Sequence, residues 1–444
     1  MGAFSYFPHT EDDIKLMLDR IGVSSLDDLY ADVPEKFIYR KEYDLPDAMS
    51  EQQVRDFFAD LDSKDAKLKV FAGAGAYDHY TPSVVPYICS RSEFLTAYTP
   101  YQAEISQGTL RYIFEYQSMI CALTGMDIAN ASMYDGPTAA AEAMKMAVSC
   151  AKRKNRVLLS DTLLPNVKRV VETYAKYHGI QLGYIAQKDG QTSLEALNKE
   201  LEAGDVAGII VPSLNRFGII EDLTGFADAV HAAKGIAVEY CDPSALAVVK
   251  TPGEWGFDVA VGDGQPLGIP LCYGGPYVGF MACNKDYVRK MPGRIVGQTE
   301  DSEGRRCFVL TLQAREQHIR REKASSNICS NQALCAFTAG VYMAAMGEAG
   351  MKQCARLCTS KAHYFATELV KAGCKLKYQG EFFHEFVTEV ACPNCRKKIL
   401  DALDAADILG GAEVDGGILW CVTELVSKEK LDETVSIVKE VLHA

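Results

Sequence analysis

The chain has 444 residues, of which 48% are hydrophobic and 24% are charged, and its formal net charge is −13. This composition is ordinary for a globular protein, and the length exceeds what one hydrophobic core usually serves. The acidic charge argues against a surface for nucleic acid or anionic membranes, which would need basic clusters. No segment approaches the roughly 20 apolar residues of a membrane helix, and the N-terminus does not resemble a signal peptide. We therefore expect a cytoplasmic protein.

The pattern of charge and hydrophobicity divides the chain into three parts. Residues 1–70 are charged and contain short amphipathic segments at 12–21 and 50–61. These segments can bury little surface alone, so we expect an arm that contacts a partner. Residues 71–330 alternate between apolar strands and helices and predict a large α/β domain. Residues 331–444 place long helices before shorter strands and predict a small α+β domain.

The predicted strands of the large domain are short β-rich runs, at 156–160, 181–185, 206–211, 235–240, 257–261 and 277–283. Helical patterns precede the first strand at 102–126 and 137–152. Further helical patterns lie between the earlier strands, at 165–178, 193–202 and 223–233. Such alternation predicts a mostly parallel sheet that is covered by helices on both faces. The smaller domain is predicted to contain helices at 331–348, 353–372, 396–405 and 431–442, with strands at 385–390 and 417–422.

Fifteen cysteines are scattered along the chain, mostly within apolar runs. This distribution is typical of buried, reduced thiols. Cys392 and Cys395 form one close pair, but a structural zinc site usually needs two such pairs or additional histidines. We therefore expect no metal, and the sequence does not explain why the cysteine count is high.

Asp242 follows the predicted strand 235–240, at the edge where α/β sheets bind ligands. An aspartate at this position in pyridoxal phosphate enzymes holds the pyridinium nitrogen in its protonated form. The alternative is an ordinary turn aspartate before Pro243, and the position alone does not distinguish the two.

A lysine that binds pyridoxal phosphate covalently is expected one strand further along the chain. The segment 262–270 stands at that place and contains no lysine. Lys250 follows Asp242 too closely, and Lys285 lies beyond the next strand. Without an amine at the strand end, this chain alone lacks the covalent chemistry of such enzymes.

Several long motifs resemble the glycine decarboxylase P-protein family, in particular its N-terminal half. The most specific is Arg315-Glu-Gln-His-Ile-Arg-Arg-Glu-Lys-Ala-Ser-Ser-Asn-Ile-Cys329. The remaining motifs agree in order and lie at 71–79, 98–108, 116–125, 129–136, 138–144 and 262–275. The resemblance implies a type I pyridoxal phosphate transferase fold, like that of aspartate aminotransferase. The chain length fits subunit 1 of the two-subunit bacterial form.

The family carries its cofactor lysine, preceded by a histidine, in the other half of the enzyme. Alignment through Ile269-Pro270 and Gly274-Gly275-Pro276 places that lysine at Gln265 and the histidine at Gly264. The resemblance thus implies a vestigial cofactor pocket that comprises Asp242, Gln265, Gly274 and Gly275. No residue of this chain alone is expected to be catalytic.

By resemblance, the holoenzyme decarboxylates glycine and transfers the aminomethyl group to the lipoyl arm of H-protein. The pyridoxal phosphate would belong to a partner, subunit 2, in an α2β2 heterotetramer. Enzymes of this fold place active sites at a dimer interface, so a subunit can contribute residues to its neighbour's pocket. The candidates for such contributions are Tyr98, Thr99, Tyr101, Glu104, Gln107, Arg315 and His318.

Each candidate also has a plainer interpretation. The residues of the 98–108 segment can serve packing or capping, and the charged helix around Arg315 and His318 can be a solvated face. His79 is undecided, because a lone histidine is more often a satisfied polar residue than a catalyst. Gly274 and Gly275 can serve a tight turn. Two alternative functions stay open: an autonomous pyridoxal phosphate enzyme, and a regulatory or scaffold protein of the same fold.

Overall fold

A computed structural model describes residues 8–96, 98–151, 153–328, 330–390 and 393–443. The chain forms two compact units, of which the first ends at Ala66 and the second begins at Lys67. Within the described ranges, no helix combines the length and the apolar character that a membrane crossing requires. The boundary that we expect at residue 330 stays a prediction.

The helices of the described residues are α1 Glu11–Ile21, α2 Glu51–Asp62, α3 Val84–Cys89, α4 Gln107–Thr124, α5 Gly136–Cys150, α6 Pro165–His178, α7 Leu194–Leu201, α8 Phe226–Ala232, α9 Pro252–Trp255, α10 Gln317–Arg320, α11 Ala333–Ala372, α12 Pro393–Asp404 and α13 Lys428–His443. The strands are β1 Lys69–Val70, β2 Ile128–Ala129, β3 Arg156–Ser160, β4 Gln181–Ile185, β5 Gln187–Lys188, β6 Gln191–Thr192, β7 Val206–Pro212, β8 Ile236–Tyr240, β9 Val259–Asp263, β10 Gly279–Cys283, β11 Ile295–Glu300, β12 Arg306–Thr311, β13 Lys375–Leu376, β14 Glu385–Glu389, β15 Ile408–Leu409, β16 Ala412–Val414 and β17 Gly417–Cys421.

The centre of the second unit is a seven-stranded sheet with the order β2-β10-β9-β8-β7-β3-β4. The strands from β9 to β4 pair in parallel, whereas β10 pairs antiparallel with both β9 and β2. Two large apolar clusters cover the opposite faces of this sheet. The prediction of a mostly parallel sheet between helical layers is therefore confirmed.

Helix α5 shows how the local sequence builds one of these layers. The Asp135 side chain caps its N-terminus by accepting a hydrogen bond from the Thr138 backbone N–H at 2.7 Å, and Pro137 lies in the first turn. Ala139, Ala140 and Ala141 are fully buried. Small side chains allow the helix to approach the sheet closely, and a proline in the first turn lacks only an N–H that the helix would leave unpaired.

The C-terminal part of the second unit is built around a four-stranded antiparallel sheet with the order β13-β14-β17-β16. Its apolar core includes Phe365 and Trp420, both fully buried. Helix α11 bends at Gly347, where φ is 59°. The bend separates two segments that correspond to the helices predicted at 331–348 and 353–372.

The first unit contains α1 and α2, and each begins with a capping box. In α1 the partners are Thr10 and Asp13, and in α2 they are Ser50 and Gln53. None of the described residues 8–66 is buried. Large apolar side chains such as Phe37, Phe57 and Phe58 are exposed.

Candidate active-site crevice

The carboxyl ends of three neighbouring parallel strands lead into polar side chains. Asn215 follows β7, Asp242 follows β8 and Gln265 follows β9. Because parallel strands end at the same edge of a sheet, these residues surround one crevice, at the position where α/β folds bind ligands. The structure therefore brings Asp242 and Gln265 together as the sequence predicts.

Gln265 is almost completely buried, with 1% of its surface exposed. Its side-chain Oε1 accepts a hydrogen bond from the Tyr77 backbone N–H at 2.7 Å. Its Nε2 donates to the backbone oxygens of Tyr77 and Ile269, both at 2.8 Å. The side-chain amide at the expected lysine position is thus fully used within the chain, and it holds the segment around Tyr77 against the sheet.

Asp242 has partners within this chain. Its Oδ1 accepts hydrogen bonds from the Ser244 backbone N–H at 2.8 Å and from the Ser244 hydroxyl at 2.7 Å. The His384 Nε2 lies 3.3 Å from its Oδ2. Burial acts to raise the pKa of Asp242, but the neighbouring His384 and the Ser244 hydrogen bonds together outweigh burial and hold this pKa below its ordinary value. The imidazole of His384 thus faces the carboxylate where a pyridinium nitrogen is expected.

The rings of Tyr77 and His384 fill the crevice between Asp242 and the C-terminal part of the chain. Their centroids are 4.2 Å apart, and the Tyr77 hydroxyl donates to Glu385 Oε2 at 2.8 Å. The cavity that remains beside Asp242 has a volume of about 30 Å³. Cofactor pockets are typically about 300 Å³ or larger, so this space suits only one or a few water molecules.

The N-terminus of α5 faces the same crevice, and helix N-termini are common phosphate sites. Here the Gly136 backbone N–H, at the start of α5, donates to Asp263 Oδ2 at 2.9 Å. Burial raises the pKa of Asp263 to about 7, and the charge of Asp135 contributes to this rise. The carboxyl groups of Asp135 and Asp263 therefore accept hydrogen bonds from the N-terminus of α5. A phosphate at this position would need positive or neutral groups instead.

Taken together, these contacts do not fit bound pyridoxal phosphate. The lysine position holds a glutamine that is fully hydrogen-bonded, and the ring position is filled by side chains of this chain. The helix N-terminus that would attract a phosphate carries carboxyl groups. The crevice has the position of a cofactor site without the space or the chemistry of one.

Gly274 and Gly275 do not line this cavity. They lie in an exposed loop beside Tyr273, whose side chain is fully exposed. Both glycines have positive φ, 101° and 146°, so the loop conformation itself requires them. Asp242 and Gln265 lie at the strand ends beside Tyr77 and His384, whereas the two glycines belong to the exposed loop. That the four residues form a vestigial pocket stays a prediction.

The motifs 98–108 and 315–329 meet at a buried ion pair. Arg294 Nε lies 3.4 Å from Glu316 Oε2, and both side chains are about 5% exposed. Arg294 also donates from Nη1 to the Thr99 hydroxyl at 3.1 Å, and its guanidinium lies 5.6 Å from the Tyr101 ring centroid. His318 Nδ1 lies 3.4 Å from Glu316 Oε2. Three predicted candidates, Thr99, Tyr101 and His318, thus belong to one cluster around this ion pair.

The other candidates differ in exposure. Tyr98 is 79% exposed, and its hydroxyl lies 2.5 Å from the Ser330 hydroxyl. Glu104 is exposed, whereas the Gln107 amide is paired with the backbone of Phe308 through two hydrogen bonds of 2.9 Å. Arg315 donates to the backbone oxygens of Leu312 at 3.1 Å and Gly293 at 3.0 Å. Tyr98, Tyr101, Glu104 and His318 are therefore the candidates whose side chains are open to a partner.

Arg294 and His384 were not predicted from the sequence. Arg294 lies in a short segment before β11 and belongs to no quoted motif. His384 directly precedes Glu385 in the C-terminal part, more than a hundred residues from Asp242. Their partner Glu316 could have been found from the sequence, because it lies within the 315–329 motif. Of the two cysteines that lie close together in the sequence, Cys392 and Cys395, the first lies outside the described residues.

Comparisons with known proteins agree with this geometry. The family described as "Glycine cleavage system P-protein" matches residues 4–438. A "Probable glycine dehydrogenase (decarboxylating) subunit 1" of Moorella thermoacetica is 46% identical over 444 residues and covers 99% of this chain and 100% of its own length. A relative of the same description from Anoxybacillus flavithermus is 48% identical and covers 97% of both chains.

A crystal structure of glycine decarboxylase (P-protein) of the glycine cleavage system, in inhibitor-bound form, superimposes with a TM-score of 0.90. It is 40% identical and covers 98% of this chain and 99% of its own. An alanine–glyoxylate aminotransferase from Nostoc sp. shares the fold at 16% identity, with a TM-score of 0.61 and coverage of 85% and 96%. The fold is that of the type I pyridoxal phosphate enzymes, and the chain belongs to the glycine cleavage system P-protein family.

Proposed function

We propose that this chain is the subunit of a glycine dehydrogenase (decarboxylating) that does not carry the cofactor. With a partner subunit it forms the enzyme that decarboxylates glycine and transfers the aminomethyl group to the lipoyl arm of H-protein. The observation that carries the proposal is the closed crevice at the fold's cofactor position, with Gln265 in place of lysine. The full-length similarity to relatives described as subunit 1 supports it.

In this proposal pyridoxal phosphate binds to the second subunit, in an α2β2 assembly. The role of this chain is to complete the partner's active site and to shape the path of the lipoyl arm. The exposed side chains of Tyr98, Tyr101, Glu104 and His318 are suited to such a role, because the two motifs that carry them meet at the ion pair of Arg294 and Glu316. Thr99, Gln107 and Arg315 serve that framework through their hydrogen bonds.

The first unit is the second surface that we assign to the partner. Its described residues include no buried side chain, although several are large and apolar, such as Phe37, Phe57 and Phe58. Apolar groups in an unburied segment commonly mark a protein interface. We propose that this arm packs on the partner subunit within the assembled enzyme.

The test is a reconstitution of the exchange between carbon dioxide and the carboxyl group of glycine. The assay contains lipoylated H-protein and pyridoxal phosphate and uses this chain alone, the candidate partner alone and their mixture. Activity that appears only in the mixture supports the proposal. Activity of this chain alone contradicts it and favours an autonomous enzyme. Full activity of the partner alone favours a regulatory or scaffold role for this chain.

A further inference from the structure

Four side chains of the kinds that bind metals meet at one buried point of the second unit. They are His79, which follows the Tyr77 segment, Cys354 and Cys358 on α11, and Glu424 after β17. His79, Cys354 and Cys358 are buried, and the Glu424 side chain is 10% exposed. This cluster was not predicted from the sequence, because Cys354 and Cys358 are two of fifteen cysteines and His79 has no other metal-binding residue type beside it except Asp78.

The separations within the cluster suit a small ion with tetrahedral coordination. The possible ligand atoms all lie within 4.8 Å of one another. His79 Nδ1 is 2.8 Å from Glu424 Oε2, Cys358 Sγ is 3.3 Å from the same oxygen, and Cys354 Sγ is 3.9 Å from His79 Nδ1. In a tetrahedral zinc site with bonds of roughly 2.0–2.3 Å, two ligand atoms are roughly 3.3–3.8 Å apart. Small side-chain movements would bring the four ligand atoms to these distances.

The fold positions these ligands independently of any ion. Cys354 and Cys358 are four residues apart on α11, so they lie on the same helix face one turn from each other. The second oxygen of Glu424, Oε1, accepts a hydrogen bond from the Tyr80 backbone N–H at 2.7 Å. This contact leaves Oε2 directed at the histidine and the cysteine. Hydrogen bonds of this kind orient the ligands in known metal sites.

The chemical types of the four ligands indicate which metal ion the site would prefer. Two thiolates and an imidazole favour zinc over magnesium or calcium, which prefer oxygen ligands. Four protein ligands leave no open position, which is typical of a structural rather than a catalytic zinc site. The three segments that supply the ligands are distant in sequence, so an ion would link them as a cross-link does.

We propose that this chain binds one zinc ion through His79, Cys354, Cys358 and Glu424. The ion fixes the segment that carries Tyr77, two residues before His79, against α11 and the end of β17. Zinc therefore helps to keep the crevice beside Asp242 closed. This proposal concerns the isolated chain and does not depend on the proposed function.

The test measures zinc in the full-length chain, prepared without a histidine tag and kept reduced. The protein is incubated with zinc chloride, passed over a chelating resin and analysed by mass spectrometry for metal and protein. The wild type is expected to retain about one zinc per chain. Cys354→Ser and Cys358→Ser are each expected to lower the retained zinc at least tenfold. Cys374→Ser is the matched control, because Cys374 is buried just after the C-terminus of the same helix and lies outside the cluster.

A second measurement needs no variant and does not depend on whether the serine variants fold. Cobalt replaces zinc in the wild-type chain, and the absorption spectrum reports thiolate coordination through charge-transfer bands. Alkylation with iodoacetamide, followed by peptide mass spectrometry, is expected to spare Cys354 and Cys358 when zinc is present and to modify them after its removal. Zinc retention that is equal in all variants, no retained zinc, or a disulfide between Cys354 and Cys358 in the isolated protein would overturn the proposal.

Discussion

The side-chain amide of Gln265 pairs with both backbone polar atoms of Tyr77, at 2.7 Å and 2.8 Å. This paired contact joins the loop after β9 to a segment 188 residues earlier in the chain. It also places the Tyr77 ring beside His384, where the two rings fill the crevice. The residue at the expected lysine position therefore acts as a structural link.

The first prediction concerns this link. Gln265→Ala leaves the backbone N–H and C=O of Tyr77 and the C=O of Ile269 without their side-chain partner in a buried region. We expect the free energy of unfolding of this chain to fall by about 2–5 kcal/mol, since each buried unpaired group costs roughly 1–3 kcal/mol. Urea-induced unfolding of the isolated chain measures the change.

Gln102→Ala is the control for this substitution, because Gln102 is an exposed glutamine. Its effect is expected to stay within about 0.5 kcal/mol. An effect of Gln265→Ala as small as that of the control would show that the link contributes little to stability.

A second prediction uses Glu239, which is fully buried in β8 beneath the crevice. Within the described part of the chain, neither oxygen of its carboxyl group has a hydrogen-bond partner. Burial raises the pKa of Glu239 from 4.5 to about 8, although the nearby Ser213 acts to lower it. Between these two values the unfolded chain releases the proton while the folded chain keeps it. The free energy of unfolding therefore decreases as pH rises through this window.

Glu239→Gln removes the titrating group and preserves its shape. We expect the variant to be more stable than the wild type at about pH 8.5 by a few kcal/mol, with a much smaller difference at about pH 5. Thermal unfolding at the two pH values measures this, with the exposed Glu202→Gln as the control. A stability difference that does not change with pH would contradict the assignment.

A third prediction concerns the ion pair of Arg294 and Glu316. Because both side chains are buried, Glu316→Ala removes from the protein interior the carboxylate that faces the Arg294 guanidinium. Glu316→Ala is expected to lower the free energy of unfolding by about 3–5 kcal/mol. The exposed pair of Arg111 and Glu115 provides the comparison, and Glu115→Ala is expected to cost at most about 1 kcal/mol. Equal effects of the two substitutions in chemical unfolding would argue against a structural role for the buried pair.

The fourth prediction tests whether Tyr101 contributes to the partner's active site rather than to the stability of this chain. Tyr101 is 64% exposed, so Tyr101→Ala is expected to change the stability of the isolated chain by less than about 1 kcal/mol. If Tyr101 completes the partner's site, the same substitution lowers the exchange activity of the mixture at least tenfold. Titration of the partner with the variant distinguishes weak assembly from a slow reaction at saturation. Tyr177→Ala, at a 78% exposed tyrosine on α6, is the matched control.

The sequence predicted the sheet well because its strands are short apolar runs between amphipathic helices. The bounds of β3, β4 and α6 agree with the predicted 156–160, 181–185 and 165–178. The bend in α11 lies at Gly347, close to the predicted break between 348 and 353, where glycine supplies the positive φ that other residues disfavour. Local patterns were sufficient for these elements.

The crevice was only partly predictable. Asp242 was identified because it follows a predicted strand, and Gln265 because the family resemblance aligns it with the cofactor lysine. His384, Tyr77 and Arg294 were missed because their roles depend on contacts between segments that are far apart in sequence. The cluster of His79, Cys354, Cys358 and Glu424 was missed for the same reason, although the spacing of Cys354 and Cys358 on a predicted helix was a weak signal.

We propose that the cofactor of the assembled enzyme belongs to the partner and that the crevice of this chain stays closed. The most direct measurement is reduction of the active mixture with borohydride in the presence of pyridoxal phosphate, followed by peptide mass spectrometry of both chains. Reduction fixes the cofactor to the lysine that holds it. We predict a single major pyridoxyl-lysine in the partner subunit and background labelling of this chain. A stoichiometric pyridoxyl group on a lysine of this chain, such as Lys250 or Lys285, would show that this chain carries the cofactor and that the proposal is wrong.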